Sequence, residues 1–294
     1  MSAEILNGKQ LAADMRADIA AKTAEFKART GMTPCLAVIL VGANPASLSY
    51  VKAKEKACGE AGMLSLDIRL PEETSQEELI AKVEALNRDP SVHGILVQLP
   101  LPRHLDEKGV IHAISADKDV DGFTPVNVGR MMIGEPCFLP CTPHGIIKML
   151  LSAGVETSGK HAVVVGRSNI VGKPVAHLLM RKAEGGNATV TICHTGTKDL
   201  ARFTREADIL VVAAGRPDTV TGEMVKPGAV VIDVGVNRVP DATKPKGYRL
   251  CGDVDFEGAS ERASLITPVP GGVGPMTITM LLYNTLEAAE RLSK

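Results

Sequence analysis

Short, unbroken apolar runs constrain the fold of this chain more than any other feature. Cys35–Val41 (CLAVILV) and residues 94–100 (GILVQLP, apolar but for Gln98) read as buried strands, and His161–Val165 (HAVVV), residues 208–213 and residues 229–234 as further, mostly apolar strands. Strands buried on both faces are the mark of parallel sheets, since antiparallel sheets commonly wet one face and alternate apolar with polar. Leu64–Leu70 and Thr189–Cys193 alternate well enough to be strands of the same sheets. Between them lie helix-like stretches: residues 7–29, residues 46–61 ending at Gly62, a natural C-cap, and residues 75–88. The last opens on Thr74-Ser75 with Glu77 and Glu78 in its first turn, a good helix start. Strand–helix–strand–helix order predicts an α/β fold with mostly parallel sheets.

That order falls into two halves, and 294 residues suit two domains at about 100–200 residues each. The first half runs to about residue 148. The second restarts with the strand His161–Val165, a glycine turn and a helix to about residue 183. A loop rich in Pro, Lys and Gly (residues 238–247) precedes the strand Tyr248–Cys251, and a long helix over residues 276–292 closes the chain.

Composition removes whole classes of function. Basic residues number 33 and acidic residues 34, a balance unsuited to a protein that tracks phosphate backbones. Aromatics are 3%, with no Trp, which argues against base-stacking platforms. No nucleic-acid partner is expected. No signal peptide is legible in MSAEILNGKQ, and the apolar runs are far short of a membrane span. The expectation is a cytoplasmic protein with reduced thiols. Cys137 and Cys141 sit in CFLPC, but no second Cys/His pair stands at zinc-like spacing, so no metal is expected.

Four stretches carry possible chemistry. Gly166-Arg-Ser-Asn-Ile-Val-Gly172 joins a strand to a helix, where small residues let backbone N–H groups approach a phosphate. Ser168 stands where the standard Rossmann pattern has its second glycine, and the Walker A pattern fails. The bland alternative is a turn that binds nothing. No acidic residue ends the following strand (Cys193-His194-Thr195), whereas Arg167, Thr195 and Thr197 could meet a 2′-phosphate, which favours NADP over NAD. In Tyr50-Val-Lys-Ala-Lys54 the tyrosine and the second lysine share a helix face, so a partly buried Lys54 would have a lowered pKa. Short-chain dehydrogenases use this spacing, but after the glycine loop rather than before it, and that family is excluded. Otherwise the pair is an ordinary amphipathic face.

Gln98 interrupts an apolar strand near its carboxyl end, where parallel sheets bind ligands, and Lys54 is an obvious partner for its amide. Asp117-Lys-Asp-Val-Asp-Gly122 lacks the closing Glu of a calcium loop. It is either a solvated turn or the site of one carboxylate, such as Asp121, that grips a heterocycle with two adjacent N–H donors. Thr267-Pro-Val-Pro-Gly-Gly-Val-Gly-Pro-Met276 is rigid at its prolines and permissive at its glycines, and either lines a ligand site or links two elements.

SxxYVxxK (Ser47, Tyr50, Val51, Lys54), GILVQLPLP, KDVDGF, PCTPHG, GRSNIVGKP and TPVPGGVGPMT occur in the order found in the bifunctional methylenetetrahydrofolate dehydrogenase/cyclohydrolase family. The chain resembles that family over essentially its whole length, in the short bacterial form without a synthetase domain. The resemblance implies two α/β domains flanking a cleft: residues 1–148 plus 275–294 as the folate-binding catalytic domain, and residues 149–274 as a Rossmann-like NADP-binding domain. It implies Lys54 as the key catalytic residue, with Tyr50, Gln98 and Asp121 beside it. Tyr50, Gln98, Asp121, Gly274 and Pro275 would meet the folate. Gly166, Arg167, Ser168, Ile170, Gly172, Thr195 and Val236 would hold NADP. The activity implied is NADP-dependent oxidation of 5,10-methylenetetrahydrofolate, then hydrolysis of the methenyl product to 10-formyltetrahydrofolate, in a homodimer. Thr195-Gly196 departs from the family's Ser followed by a basic residue, which leaves Arg167 with less help at a 2′-phosphate. A monofunctional NAD-dependent dehydrogenase and a non-catalytic nucleotide- or folate-binding module are the alternatives.

Overall fold

A computed structural model describes residues 2–244 and 247–293. In chain order the first elements are β1 (Glu4–Ile5), α1 (Gly8–Thr30), β2 (Cys35–Val41), α2 (Pro45–Glu60), β3 (Leu64–Leu70), α3 (Gln76–Arg88), β4 (Gly94–Val97), α4 (Glu107–Ala113), α5 (Pro125–Ile133) and α6 (Cys141–Ser152). Then follow β5 (His161–Val165), α7 (Gly172–Met180), β6 (Thr189–Cys193), α8 (Leu200–Thr204), β7 (Ile209–Val212), β8 (Val230–Asp233), β9 (Asn237–Pro240), β10 (Tyr248–Cys251), α9 (Phe256–Ser260), β11 (Leu265–Ile266) and α10 (Val273–Leu292). The chain is α/β and divides into two compact units: Met1–Ala12 with Thr142–Thr277, and Ala13–Cys141 with Ile278–Lys294.

The unit Ala13–Cys141 with Ile278–Lys294 is built on a parallel sheet in the order β3-β2-β4. All seven positions of β2 are buried, as its unbroken apolar run requires. Ile39, Ile95, Leu79 and Val83 share one core cluster, and each such fully buried side chain contributes about 1.5–3 kcal/mol. Helix α3 opens on a capping box, the Ser75 hydroxyl accepting from the Glu78 N–H and the Glu78 carboxylate from the Ser75 N–H. Since β3 and β4 flank β2 on opposite sides, the chain switches direction at the carboxyl ends of β2 and β4. Such switch points are where parallel sheets bind ligands. Beyond β4 the segment around Asp119 continues the parallel arrangement, with the Ile95 N–H donating to the Lys118 carbonyl at 2.8 Å.

The other unit carries a six-stranded parallel sheet in the order β1-β11-β8-β7-β5-β6. Its switch point is β5, flanked by β6 on one side and β7 on the other. Val163, Val165, Leu210, Val212, Val231 and Ile266 fill one core cluster of this unit.

Several boundaries differ from the sequence reading. Residues 1–12 group with the six-stranded sheet because β1 pairs in parallel with β11; a two-residue strand is too short to show a pattern. Part of the loop over residues 238–247 is strand: β9 pairs antiparallel with β10, Pro240 opposite Tyr248. Pro245 and Lys246 of that stretch lie outside the described residues. Helix α7 stops at Met180, short of residue 183. Helix α10 starts at Val273, so Gly274 and Pro275 belong to its first turn, where a proline has no hydrogen bond to lose. No helix among the described residues is long and apolar enough to cross a membrane.

Candidate active site

Helix α2 carries the lysine. The Asn44 side-chain oxygen accepts from the Ser47 N–H at 3.3 Å and its carbonyl from the Leu48 N–H, which starts the helix. Tyr50 and Lys54 then follow one turn apart, Tyr50 half-exposed. Gln98 is the first residue past β4 rather than within it, although its N–H still donates to the Ile39 carbonyl at 2.8 Å. Its side chain bridges two groups. Nε2 donates to the Leu99 carbonyl at 2.7 Å, which turns Oε1 toward Lys54, and Lys54 Nζ donates to that oxygen at 3.0 Å. The switch point of the three-stranded sheet thus brings together residues 44 positions apart.

Burial holds the Lys54 amine below the ordinary lysine range, opposed by attraction to Asp121. Burial pushes the Asp121 carboxyl up, opposed by Lys54. Two thiols near the lysine stay neutral: burial pushes Cys58 up to about 12 and Cys141 well above its usual range. A lysine among uncharged sulfurs, held below its ordinary range beside one amide and one carboxylate, gives up a proton more readily than a lysine in water.

The three carboxylates after Ala116 have separate fates. Asp117 is exposed. Asp119 is buried and organises the turn: Oδ1 accepts from the N–H groups of Gly122 (3.0 Å) and Phe123 (3.2 Å), Oδ2 from Thr124 (2.8 Å) and the Asn127 amide (2.9 Å). Between them, buried Lys118 donates to the carbonyls of Leu86 (3.0 Å) and Asp89 (2.6 Å), closing the end of α3. Only Asp121 is left for Lys54. The solvated-turn reading therefore fails for Lys118 and Asp119, because both are hydrogen-bonded inside the fold.

In the unit with the six-stranded sheet, the loop between β5 and α7 lies at the switch point. Gly166 has φ +125°, and a Cβ there would collide with the Ala213 carbonyl; a Cβ on Gly172 would collide with the Gly166 carbonyl. The turn is too tight for side chains at these two places. Ser168 Oγ accepts from the N–H groups of Val171 (3.1 Å) and Gly172 (3.3 Å). Arg167, Ser168 and Ile170 are exposed, and so is Thr195 past the end of β6. The Thr197 hydroxyl accepts from the His194 N–H at 2.9 Å, which shapes that turn. Val236, past β8, is half-exposed. Gly274 is exposed with open space around its Cα, so its glycine is not needed for close approach within the chain.

Residues 6–121 match the tetrahydrofolate dehydrogenase/cyclohydrolase catalytic domain, and residues 140–293 match the NAD(P)-binding domain of the same family. The chain belongs to the tetrahydrofolate dehydrogenase/cyclohydrolase family. A relative in this family, the bifunctional protein FolD of Geobacillus thermodenitrificans, is 59% identical over all of this chain and 99% of its own. The crystal structure of the bifunctional FolD dehydrogenase/cyclohydrolase of Campylobacter jejuni matches with a TM-score of 0.93 at 49% identity, covering 99% of both chains. That of Trypanosoma brucei FolD, complexed with NADP cofactor and an inhibitor, matches with a TM-score of 0.93 at 42% identity, over 99% of this chain and 98% of its own.

Among the family's dehydrogenase/cyclohydrolase motifs, the structure adds residues that sequence reasoning missed. Cys141, expected only as a reduced structural thiol, is a buried free thiol that donates to the Val120 carbonyl at 3.3 Å. Asp233 and Asp253 are both buried and tie loops past β7 and β8: Asp253 Oδ2 accepts from the Ala214 and Gly215 N–H groups at 2.7 Å each, and Asp233 Oδ1 from those of Gly235 and Asp253. Burial pushes the Asp233 carboxyl up to about 6. Asp233 interrupts an apolar strand run as Gln98 does, a signal the sequence carries, whereas nothing local marks Asp253 as buried.

Proposed function

We propose that this protein oxidises 5,10-methylenetetrahydrofolate with NADP and hydrolyses the 5,10-methenyl product to 10-formyltetrahydrofolate. The observation that carries this reading is Lys54, bonded to Gln98 and charge-coupled to Asp121, in a chain that also carries its family's NAD(P)-binding domain. The glycine turn at Gly166 and Gly172 leads from β5 into the N-terminus of α7 and fits a dinucleotide, since a helix N-terminus favours a phosphate. Gly166, Arg167, Ser168 and Thr195 would hold its phosphates, with Ile170 also against the cofactor and Val236 near the nicotinamide. NADP, when bound, accepts the hydride.

The rest is done by the chain's own residues. Asp121, with Tyr50, orients the folate. Its bridge carbon becomes a cation delocalised over two nitrogens as hydride leaves, so this step needs orientation rather than an acid or base. Hydrolysis is different. Water adds to the bridge carbon of the cation and releases one proton; the bond from that carbon to one nitrogen then breaks, the remaining hydroxyl proton leaves as the C=O forms, and that nitrogen gains a proton, so that one proton is released overall. Lys54 is the group that moves the proton, with Gln98 fixing its amine. A non-catalytic binding module would not be expected to carry the Lys54, Gln98 and Asp121 set together.

The test is a spectrophotometric assay of methylenetetrahydrofolate with NADP and with NAD, together with methenyl hydrolysis. Turnover with NADP and cyclohydrolase activity are both expected; NAD-only turnover without hydrolysis would favour the monofunctional dehydrogenase. In the same assay Arg167→Ala should raise the KM for NADP about tenfold or more while changing NAD little, the loss of one exposed charge-assisted contact. Equal losses for both cofactors would rule out a 2′-phosphate role.

A homodimer is part of the proposal. Its support is edge strand β3, which presents Leu64 (57% exposed) and Leu66 (41%) beside an unpaired backbone edge. Light scattering should give twice the chain mass, and a monomer at micromolar concentration would remove this part.

A further inference from the structure

Helix α10 carries a buried amide whose partners lie beside the catalytic pair. Asn284 is 1% exposed, and its Nδ2 donates to the Val120 carbonyl at 2.8 Å and the Leu139 carbonyl at 3.0 Å, with Cys141 Sγ at 3.7 Å. The Val120 carbonyl also accepts from Cys141 Sγ. Val120 immediately precedes Asp121, and Leu139 lies against the turn that follows it. A Cβ on Gly122 (φ +72°) would stand 2.7 Å from the Phe138 carbonyl oxygen and 2.7 Å from the Pro140 nitrogen. The Asp121–Gly122 turn and the strip 138–141 are therefore pressed together, and Asn284 holds one carbonyl of each.

We propose that Asn284 is a positioning residue that fixes the Asp121 carboxylate toward Lys54 and toward the folate ring. The proposal rests on the folate-gripping role given to Asp121 above. The physical reason is specific to an amide. Two backbone carbonyls converge on one point from different segments, and a group with two N–H donors and no charge satisfies both. Asp119 fixes the amides of this turn from within the same segment; Asn284 fixes its carbonyl side from the far end of the sequence. This gives the return of the last helix to the Lys54 unit a role in catalysis as well as in packing.

The test compares three variants of the full-length enzyme. Asn284→Asp keeps size and shape but replaces the donor with an acceptor facing two carbonyls. Leu286→Ala, a buried apolar change on the same helix, controls for lost stability. Asp121→Asn probes the underlying site. Loss of folded protein lowers apparent kcat and leaves KM unchanged, whereas a misplaced Asp121 raises the folate KM. Asn284→Asp and Asp121→Asn are expected to raise the KM for methylenetetrahydrofolate, Asn284→Asp by about three- to tenfold, the scale of one or two hydrogen bonds. The KM for NADP should be unaffected in both, and Leu286→Ala should lower the melting temperature alone. A raised folate KM in Asp121→Asn with an unchanged one in Asn284→Asp overturns the positioning role by itself. An unchanged folate KM in Asp121→Asn overturns the site reading, and the positioning role with it.

Discussion

Replacing Lys54 with methionine should abolish cyclohydrolase turnover while leaving measurable dehydrogenase activity. Positioned proton transfer contributes about 10²- to 10⁴-fold to a rate, and methionine matches the lysine stem but carries no proton. Hydride transfer needs no proton from Lys54, so the two activities part in this variant. The fall should appear as slow loss of methenyl absorbance in hydrolysis assays, beside continued NADPH formation. Hydrolysis at the wild-type rate would remove Lys54 from the mechanism. In the wild-type enzyme the sign of the pH dependence follows from burial. The neutral amine becomes available below the free-lysine value of 10.5, so hydrolysis limited by that form should rise with pH to a plateau with its midpoint under 10.5. Asp121 opposes the shift by stabilising the charged amine, so removing its charge should move the midpoint lower still.

Gly166→Ala should produce the opposite split. The added methyl meets the Ala213 carbonyl, and a φ of +125° is a backbone conformation that alanine rarely adopts. Relief requires the turn between β5 and α7 to move, which displaces Arg167 and Ser168 with it. The backbone conflict alone costs about 1–3 kcal/mol. The KM for NADP should rise at least about tenfold, the equivalent of roughly 1.4 kcal/mol of lost binding. Methenyl hydrolysis uses no dinucleotide, and Lys54, Gln98 and Asp121 belong to the other compact unit, so it should persist in the fraction that stays folded. Thermal unfolding with and without NADP checks both effects. An unchanged NADP dependence would mean that the cradle holds something else.

Much of this site is legible in the chain itself. The helix spacing puts Tyr50 and Lys54 on one face, and a polar Gln98 at the end of an apolar run marks a strand terminus at a ligand edge. The hydrogen bond from Lys54 to Gln98 is the one that this reading anticipates. Other assignments were out of reach for definite reasons. Of the three carboxylates in Asp117–Asp121 the sequence points to Asp121, but only packing decides that Asp119 turns inward to hold the turn while Asp117 stays exposed. Strand β1 has two residues and no periodicity, so nothing local joins it to β11 some 260 residues later. Asn284 is one of several polar residues in α10, beside Thr279, Thr285 and Glu287, and nothing local singles it out; its partners are 145 and 164 positions away.

The sequence by itself determined the class of fold, the type of most long elements, though not helices α4 to α6, and the chemistry available. Periodicity, capping residues and glycine turns are local properties, set by backbone sterics and by the burial of neighbouring side chains. Tertiary structure alone decided which polar groups are structural and which are left for chemistry. A carboxylate, amide or thiol has the same composition wherever it stands. Its role is fixed by desolvation and by the partners brought to it from distant segments, and these exist only once the sheets have formed.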